Sequence, residues 1–430
     1  MPRKKKRKVR IDRILLLVGL ATVVAGAATG GIYGLSSLLR MKIQGSNVAD
    51  AQTQTGADQN NTSGTNQTAD KKKTGKKASF TFNGVGDLLF HDPIFIYFEQ
   101  DNGTRDFDPL FELTKSYTSS ADLNYANMET ICAGDEYELT GYPMFNGPLE
   151  MIDTFSRQGW DVLSTSSNHS YDRQSDGIIT EMNYIDQNHP EMKYIGSHLS
   201  EEAANTPHVL EINGLKVGLA GFTYGLNGFI LPDDQKWLID VFLKEDGSVN
   251  YGLMQKRLDA LKAASDVQIV FMHWGDEYHT EPNDIQKEVT NYLHSQGVEA
   301  IIGTHPHVIE PCELIVDDDQ QTLVYYSLGN FISAQDSSET MVGGMADFTM
   351  NYDFDTEKAT FENVKFIPTV TWISPDLRQY RTTTIREYND DMAANHFVLT
   401  QMGQDISPQW VKDYVASVIG QPEGIEVVYE

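Results

Sequence analysis

The sequence is poor in cysteine, with two residues, Cys132 and Cys312, among 430. That excludes a disulfide-dense scaffold and zinc modules built on four cysteines. It is also poor in basic charge. Lys and Arg number 33 against 61 Asp and Glu, for a formal net charge of −28. The few cations are unevenly placed. Residues 1–13 hold eight of them against one Asp, a net of +7 that leaves −35 for the remainder. A body this acidic repels nucleic acid and anionic lipid at long range, so no nucleic-acid partner is expected.

Two further stretches are defined by what they lack. Ile14–Leu39 carries no charge over 26 residues, more than the roughly 20 that span a bilayer. The basic cluster before it places the N-terminus in the cytoplasm. We therefore expect a basic cytoplasmic tail over 1–13, a single transmembrane helix over 14–39, and an extracellular remainder at the cell membrane. A cleaved signal peptide is the competing reading, since Ala25-Gly26-Ala27 looks like a cleavage site. The apolar run continues twelve residues past it, which favours an uncleaved anchor. No cysteine lies near for lipoprotein anchoring. Lys4–Val9 also looks like a nuclear-localisation peptide, but a cluster abutting a spanning segment is better explained by topology. Residues 40–77 nearly lack large apolar side chains. They cannot build a core and read as a flexible, disordered linker.

From Ala78 the chain turns to strand and helix patterns. Phe80 and Phe82 alternate into Gly84-Val85-Gly86-Asp87, read as a strand ending in a tight turn. Strands are expected over 121–129, 161–164, 216–222, 267–272, 298–302 and 323–326. Helices are expected over 149–155, 178–185 and 253–261, and between Pro282 and Gly297. This alternation argues for an α/β fold with parallel pairing. Residues 78–375 form its domain. Residues 376–430 are a C-terminal extension with helices expected over Asp391–Met402 and Pro408–Ile419.

Five polar clusters follow strands at their C-terminal ends, where open α/β sheets bind ligands. They are Asp87 with His91, Asn127 with Glu129, Asn168 with His169, His273, and His305 with His307. The last lies in Gly303-Thr304-His305-Pro306-His307. Two histidines at i and i+2 in an extended segment point the same way, and Pro306 holds His305 out of the helical region. Mixed carboxylate, imidazole and amide donors suit Mn, Fe or Zn rather than Ca. There are too many for one tetrahedral zinc. They fit two divalent ions about 3.5–4 Å apart, bridged by a carboxylate and a hydroxide.

Six ordered motifs carry a resemblance. They are Gly86-Asp87-Leu88-Leu89-Phe90-His91, Asn127-Met128-Glu129, Asn168-His169 with Asp172, His273-Trp274-Gly275-Asp276-Glu277-Tyr278, Gly303–His307 and Tyr326-Ser327-Leu328-Gly329-Asn330-Phe331. Over about residues 80 to 370 the chain resembles the capsule-synthesis protein A (CapA) family, associated with bacterial poly-γ-glutamate synthesis. That family resembles calcineurin-like metallophosphoesterases, which implies a two-sheet sandwich flanked by helices. The resemblance implies that Asp87, His91 and His307 hold one metal, that Asn168, His273 and His305 hold the other, and that Glu129 bridges. His169 would be the general acid, oriented by Asp172. The chain departs from related phosphoesterases in placing His91 four residues after Asp87 rather than two. It also has Glu129 where a bridging Asp is usual, and Ser166-Ser167 before Asn168.

Three functions follow. The first is a membrane-anchored, metallophosphoesterase-like protein acting on poly-γ-glutamate or another anionic polymer with its synthesis complex. The second is a phosphoester or amide hydrolase with no capsule role. The third is a non-catalytic polymer-binding or assembly subunit. Glu277 and Tyr278 read as structural neighbours of the site, and Trp274 as either a substrate platform or core. Arg378, Arg381 and Arg386 read as a solvated face. His189, His198, His208, His279, His294 and His396 are expected at the surface. Cys132 and Cys312 leave the rim of the site close enough for a bridge between two ligand-bearing loops to be considered; the alternative is two buried thiols.

Overall fold

The computed structural model describes residues 75–100, 103–317 and 320–429. The expected tail and transmembrane helix, and all but the end of the expected linker, lie outside the described residues. Among the described residues, no helix is long and apolar enough to cross a membrane. The strands are β1 (Lys77–Leu88), β2 (Leu123–Met128), β3 (Val162–Ser164), β4 (Lys193–Ile195), β5 (His208–Ile212), β6 (Leu215–Thr223), β7 (Val267–His273), β8 (Ala300–Thr304), β9 (Cys312–Val316), β10 (Gln321–Tyr325), β11 (Asn330–Ile332), β12 (Val342–Asp353), β13 (Lys358–Ile373), β14 (Tyr380–Thr384) and β15 (Glu426–Val427). The longer helices are α1 (Glu150–Gln158), α2 (Gln174–Asn188), α3 (Tyr251–Ala264), α4 (Asp284–Ser295) and α5 (Pro408–Val418).

Among the described residues these strands form two sheets. One has nine strands in the order β14-β13-β12-β1-β2-β3-β4, with β11 beside β1 and β15 beside β13. The other has six in the order β5-β6-β7-β8-β10-β9. Strands β1 to β4 are parallel, as are β6, β7, β8 and β10. Strands β12 to β14 extend the first sheet antiparallel, and β5 and β9 flank the second the same way. The fold is mixed α/β with two sheets.

The second sheet is apolar on both faces, and its sequence shows why. In β6, Leu215, Val217 and Leu219 join one core while Ala220 and Phe222 join another. β7 divides the same way, with Val267, Ile269 and Phe271 against Val270 and Met272. Successive side chains on a strand point to opposite faces. The inner set meets the first sheet, where Phe271 stacks on Tyr125 of β2 at 3.9 Å between ring centroids. The outer set is covered by Met254, Leu258 and Leu261 of α3 and by Val289 and Leu293 of α4. Each such side chain contributes roughly 1.5–3 kcal/mol by leaving water.

Several expectations change. The turn over Gly84–Asp87 is strand, because β1 runs on to Leu88, flanked by β2 on one side and by β12 and then β11 on the other. The helix over Asp391–Met402 is broken into Asp390–Ala394 and a π-helical turn, Val398–Met402. Between them the buried His396 ring accepts from the Val398 amide and meets the Thr371 carbonyl, so the helical ladder cannot continue. His396 and His198 are buried rather than exposed, and His189, His208 and His294 are partly buried. The residues after 375 are not separate from the sheet: β14 pairs with β13, and β15 does so farther along. Both cysteines are free and buried, so the bridge is not formed. Cys132 packs beneath Gly147, while Cys312 opens β9 at the edge of the second sheet. Burial pushes the Cys132 thiol well up and the Cys312 thiol up to about 12.

Candidate metal centre

The parallel strands end on a common polar floor. Asp87 is the penultimate residue of β1, Glu129 follows β2, Asn168 and His169 lie in the turn after β3, His273 closes β7, and His305 and His307 follow β8. Two glycines let these ends approach the stretch 326–330. A Cβ on Gly86 would lie 1.9 Å from the Gly329 carbonyl oxygen, and one on Gly303 would lie 1.9 Å from that of Tyr326. No other residue fits there without backbone movement. His305 and His307 do not converge by strand alternation. β8 ends at Thr304, and both histidines take positive φ, 102° and 61°. Such conformations cost on the order of 1–3 kcal/mol each and cluster at functional sites.

Two groups of donors result, each with ligand atoms within 4.8 Å of one another: Asp87, Glu129 and His307, and Glu129, His273 and His305. Glu129 belongs to both. Its Oε1 lies 3.8 Å from His273 Nε2 and 3.7 Å from His307 Nε2. A third group, Glu277, His305 and His307, opens toward solvent through the exposed Glu277. Asn168 aims its Oδ1 at His273 Nε2, 2.9 Å away. The other ring nitrogens are held from outside. His273 Nδ1 lies 3.1 Å from Thr304 Oγ1, and His307 Nδ1 lies 3.1 Å from Asn330 Oδ1. A hydrogen on His307 Nδ1, which the Asn330 oxygen accepts, leaves His307 Nε2 bare toward Glu129, the arrangement a metal-ligating imidazole requires.

The donor set is short of positive charge. Burial raises the Asp87 carboxyl to about 7, although the His305 amide and Asn127 Nδ2 both donate to it. Burial raises Glu129 well above the carboxylate range, and the charges of Asp87 and Glu277 push the same way. Burial and the neighbouring imidazoles hold His273 and His305 well below the usual histidine value, and burial takes His307 down to about 3. Both Glu129 oxygens, Asn127 Oδ1 and His305 Nδ1 are buried without a hydrogen-bond partner. Buried polar atoms are normally paired. Neutral imidazoles facing unpaired carboxylate oxygens fit divalent cations, which reverse this electrostatic balance.

His169 stands beside this set rather than in it. Its Nδ1 lies 2.7 Å from Asp172 Oδ2, which also accepts the Phe145 amide. The Asn227 amide reaches the ring, and Phe145 packs edge-on against it at 4.5 Å. His91 is in none of the three donor groups. Its Nδ1 accepts the Ala334 amide, its ring packs edge-on with Phe145 at 5.2 Å, and burial lowers it to about 4. Trp274 is core, with its indole N–H donating to the Tyr326 carbonyl. Arg378, Arg381 and Arg386 are exposed. Sequence reasoning missed Asn227 and Phe145, and Tyr224, whose ring lies 4.6 Å from His305, and it named Thr304 only as part of the histidine motif. It singled out Asn330 only as part of the segment under the site. None of these has a spacing that marks it; only the fold brings them in.

Comparison with known proteins gives the family of the chain. Residues 81–335 match the family described as bacterial capsule synthesis protein PGA_cap. The chain is similar to the PGA biosynthesis protein CapA of Bacillus subtilis (strain 168), 24% identical over 281 residues that cover 63% of this chain and 67% of that one. It is similar to the capsule biosynthesis protein CapA of Bacillus anthracis, 26% identical over 196 residues, and spans 44% of that protein's length and of its own. Among solved structures it is similar to a novel phosphatase from Mycoplasma pneumoniae, at 15% identity and a TM-score of 0.41. That match covers 69% of this chain and 95% of the other.

Proposed function

The chain belongs to the bacterial capsule synthesis protein PGA_cap family, and from that premise we propose that it serves capsule or poly-γ-glutamate synthesis or export through a two-metal hydrolytic site. One observation carries the site: two donor groups meet at Glu129, whose oxygens are buried and unpaired. Asp87 and His307 would hold one divalent ion, with His91 outside that donor group. Asn168, His273 and His305 would hold the other, and Glu129 belongs to both donor sets. Ions of the Mn, Fe or Zn kind supply Lewis acidity toward a phosphoryl or acyl oxygen and make water acidic enough to attack near neutral pH.

The chain's own residues do the rest. Thr304 and Asn330 fix the imidazoles. Asp172 accepts from His169 Nδ1 and orients the ring, leaving Nε2 to pass a proton to a leaving group. Exposed Glu277 and Tyr278 stand at the mouth, where an extended polymer passes. The net +7 cluster and the uncharged run Ile14–Leu39 support a single-pass anchor with this domain outside the cell.

The test uses the full chain purified without chelator. Two equivalents of transition metal are expected, falling below one in His305→Ala. His169→Ala keeps its metal and loses roughly 10²–10⁴-fold of turnover on a phosphoester and γ-glutamyl panel. A wild-type chain with no transition metal overturns the reading. Wild-type polymer yield from cells carrying Glu129→Ala would show that the capsule role does not run through the metal site.

A further inference from the structure

The segment from Trp274 to Tyr278 is built to hold one side chain beside the metal centre. Trp274 is anchored in the core, and its backbone amide donates to the Thr304 carbonyl at 3.1 Å. Four residues on, the Tyr278 amide donates to the Pro306 carbonyl at 2.8 Å. The segment is therefore tied at both ends to the histidine stretch. Between those ends Asp276 Oδ2 accepts from Asn283 Nδ2 at 3.1 Å, which fastens the loop to the start of α4.

Tyr278 is the strained and exposed member of the segment. It takes a φ of 64°, a left-handed conformation that bulky residues rarely adopt and that clusters at functional sites. Its side chain is fixed although the residue is 55% exposed. The ring centroid lies 5.9 Å from that of His307. The hydroxyl accepts from Gln335 Nε2 at 3.3 Å. Gln335 Oε1 accepts from Asn330 Nδ2 at 2.8 Å, so the amide nitrogen is the end left for the tyrosine. Asn330 is also the residue whose Oδ1 faces His307 Nδ1. One side chain thus orients both a metal donor and, through Gln335, the tyrosine.

The fold leaves two properties of this ring unused. Its surface is largely open to solvent. Its hydroxyl hydrogen remains to donate, because the oxygen is the acceptor toward Gln335. The neighbouring charges are negative: the carboxylates of Glu277 and Asp336 both bear on the Tyr278 hydroxyl. They disfavour a second anion there and favour an uncharged group. Glu277 also reaches the ligand atoms of His305 and His307, so whatever lies on Tyr278 lies next to the donors.

We propose that Tyr278 is the specificity-determining residue of the metal centre, and that it takes a planar, uncharged amide next to the reacting group of the substrate. This rests on the two-metal reading above. The face of the amide stacks on the ring, and its carbonyl oxygen accepts from the phenol. A branched alkyl group of the same shape uses the ring without the hydroxyl and lacks the flat face. A carboxylate in that place meets Glu277 and Asp336.

The test is calorimetric titration of the full chain, loaded with manganese, with two phosphonates of one shape. Phosphonopropionamide carries its amide two methylenes from phosphorus, and isopentylphosphonate carries an isopropyl group there. Both offer the metals the same anion. The wild type is expected to bind the amide about tenfold more tightly. Tyr278→Phe, which keeps the ring and loses the hydroxyl, should hold about a threefold preference. Tyr278→Gly relieves the positive φ and so keeps the fold, and should bring the two affinities within about twofold of each other. Equal affinities in the wild type, or a tenfold preference that survives Tyr278→Gly, would overturn the proposal and leave the metal centre standing. Failure of both phosphonates to bind the metal-loaded chain would overturn the two-metal reading, and the proposal with it.

Discussion

Two buried clusters pair histidine with carboxylate, and they solve the same electrostatic problem in opposite ways. At Asp240 the protein supplies its own cation. Arg257 forks onto the carboxylate, His198 adds a third contact, and the acid stays ionised under full burial. At Asp87 and Glu129 no Lys or Arg makes an ion pair with either acid among the described residues. Both are pushed up, and four polar atoms are left unpaired. The first cluster is finished by the fold. The second has the charge balance that a divalent cation would complete. Glu181 gives the case between them. It is 2% exposed, accepts the Cys132 amide, and is raised by burial to about 8.

Removing the internal cation should have the largest effect. Arg257→Ala leaves Asp240 buried without its main partner, and breaking a buried pair costs about 3–5 kcal/mol. Urea unfolding should show that loss. A loss under about 1 kcal/mol would mean that water reaches Asp240 and that the two clusters are less different than their burial suggests.

The external cation should matter next. Adding Mn or Zn at a hundred times its dissociation constant should stabilise the wild type by about 2.7 kcal/mol, read as a raised melting temperature reversed by chelator. His305→Ala should show little of that gain. Equal gains in both proteins would place the bound ion elsewhere.

The smallest effect isolates burial. Glu181 binds a proton more tightly folded than unfolded, so the native state holds the extra proton between about pH 4.5 and 8. Stability should therefore fall as pH rises through that window. Glu181→Gln should remove the slope and gain roughly 1–3 kcal/mol over wild type at pH 8, with little difference near pH 5. Parallel stability curves for the two proteins would show that Glu181 is solvated.

The contrast also explains what could be read in advance. Donors at the metal centre follow buried apolar runs, so Asp87, Glu129, Asn168, His273, His305 and His307 stood out as polar residues at strand ends. Their convergence needed only parallel strands. The backbone route of His305 and His307 did not show, because positive φ at two non-glycine residues is imposed by surrounding structure. The Asp240 cluster was invisible. His198, Asp240 and Arg257 are far apart in sequence and follow no pattern, so a lone histidine read as surface. The strands β12 and β13 escaped for a local reason. Gly343-Gly344 and Pro368 break the apparent pattern, yet in the sheet Gly344 sits directly opposite Pro368.

The register of β1 has a consequence for the newborn chain. β1 is made first, but its antiparallel neighbour is β12, with Lys77 opposite Asp353. About 265 residues separate the starts of the two strands. At roughly 5–20 residues per second of synthesis, β1 waits on the order of 13 to 53 seconds with one edge unpaired. Asn330 and Gly329, which orient His307 and receive the Asp87 amide, arrive in the same late segment. The metal centre is thus among the last parts of the molecule to be completed. Any truncation before residue 330 should leave a chain that has most of the donors and cannot hold them together.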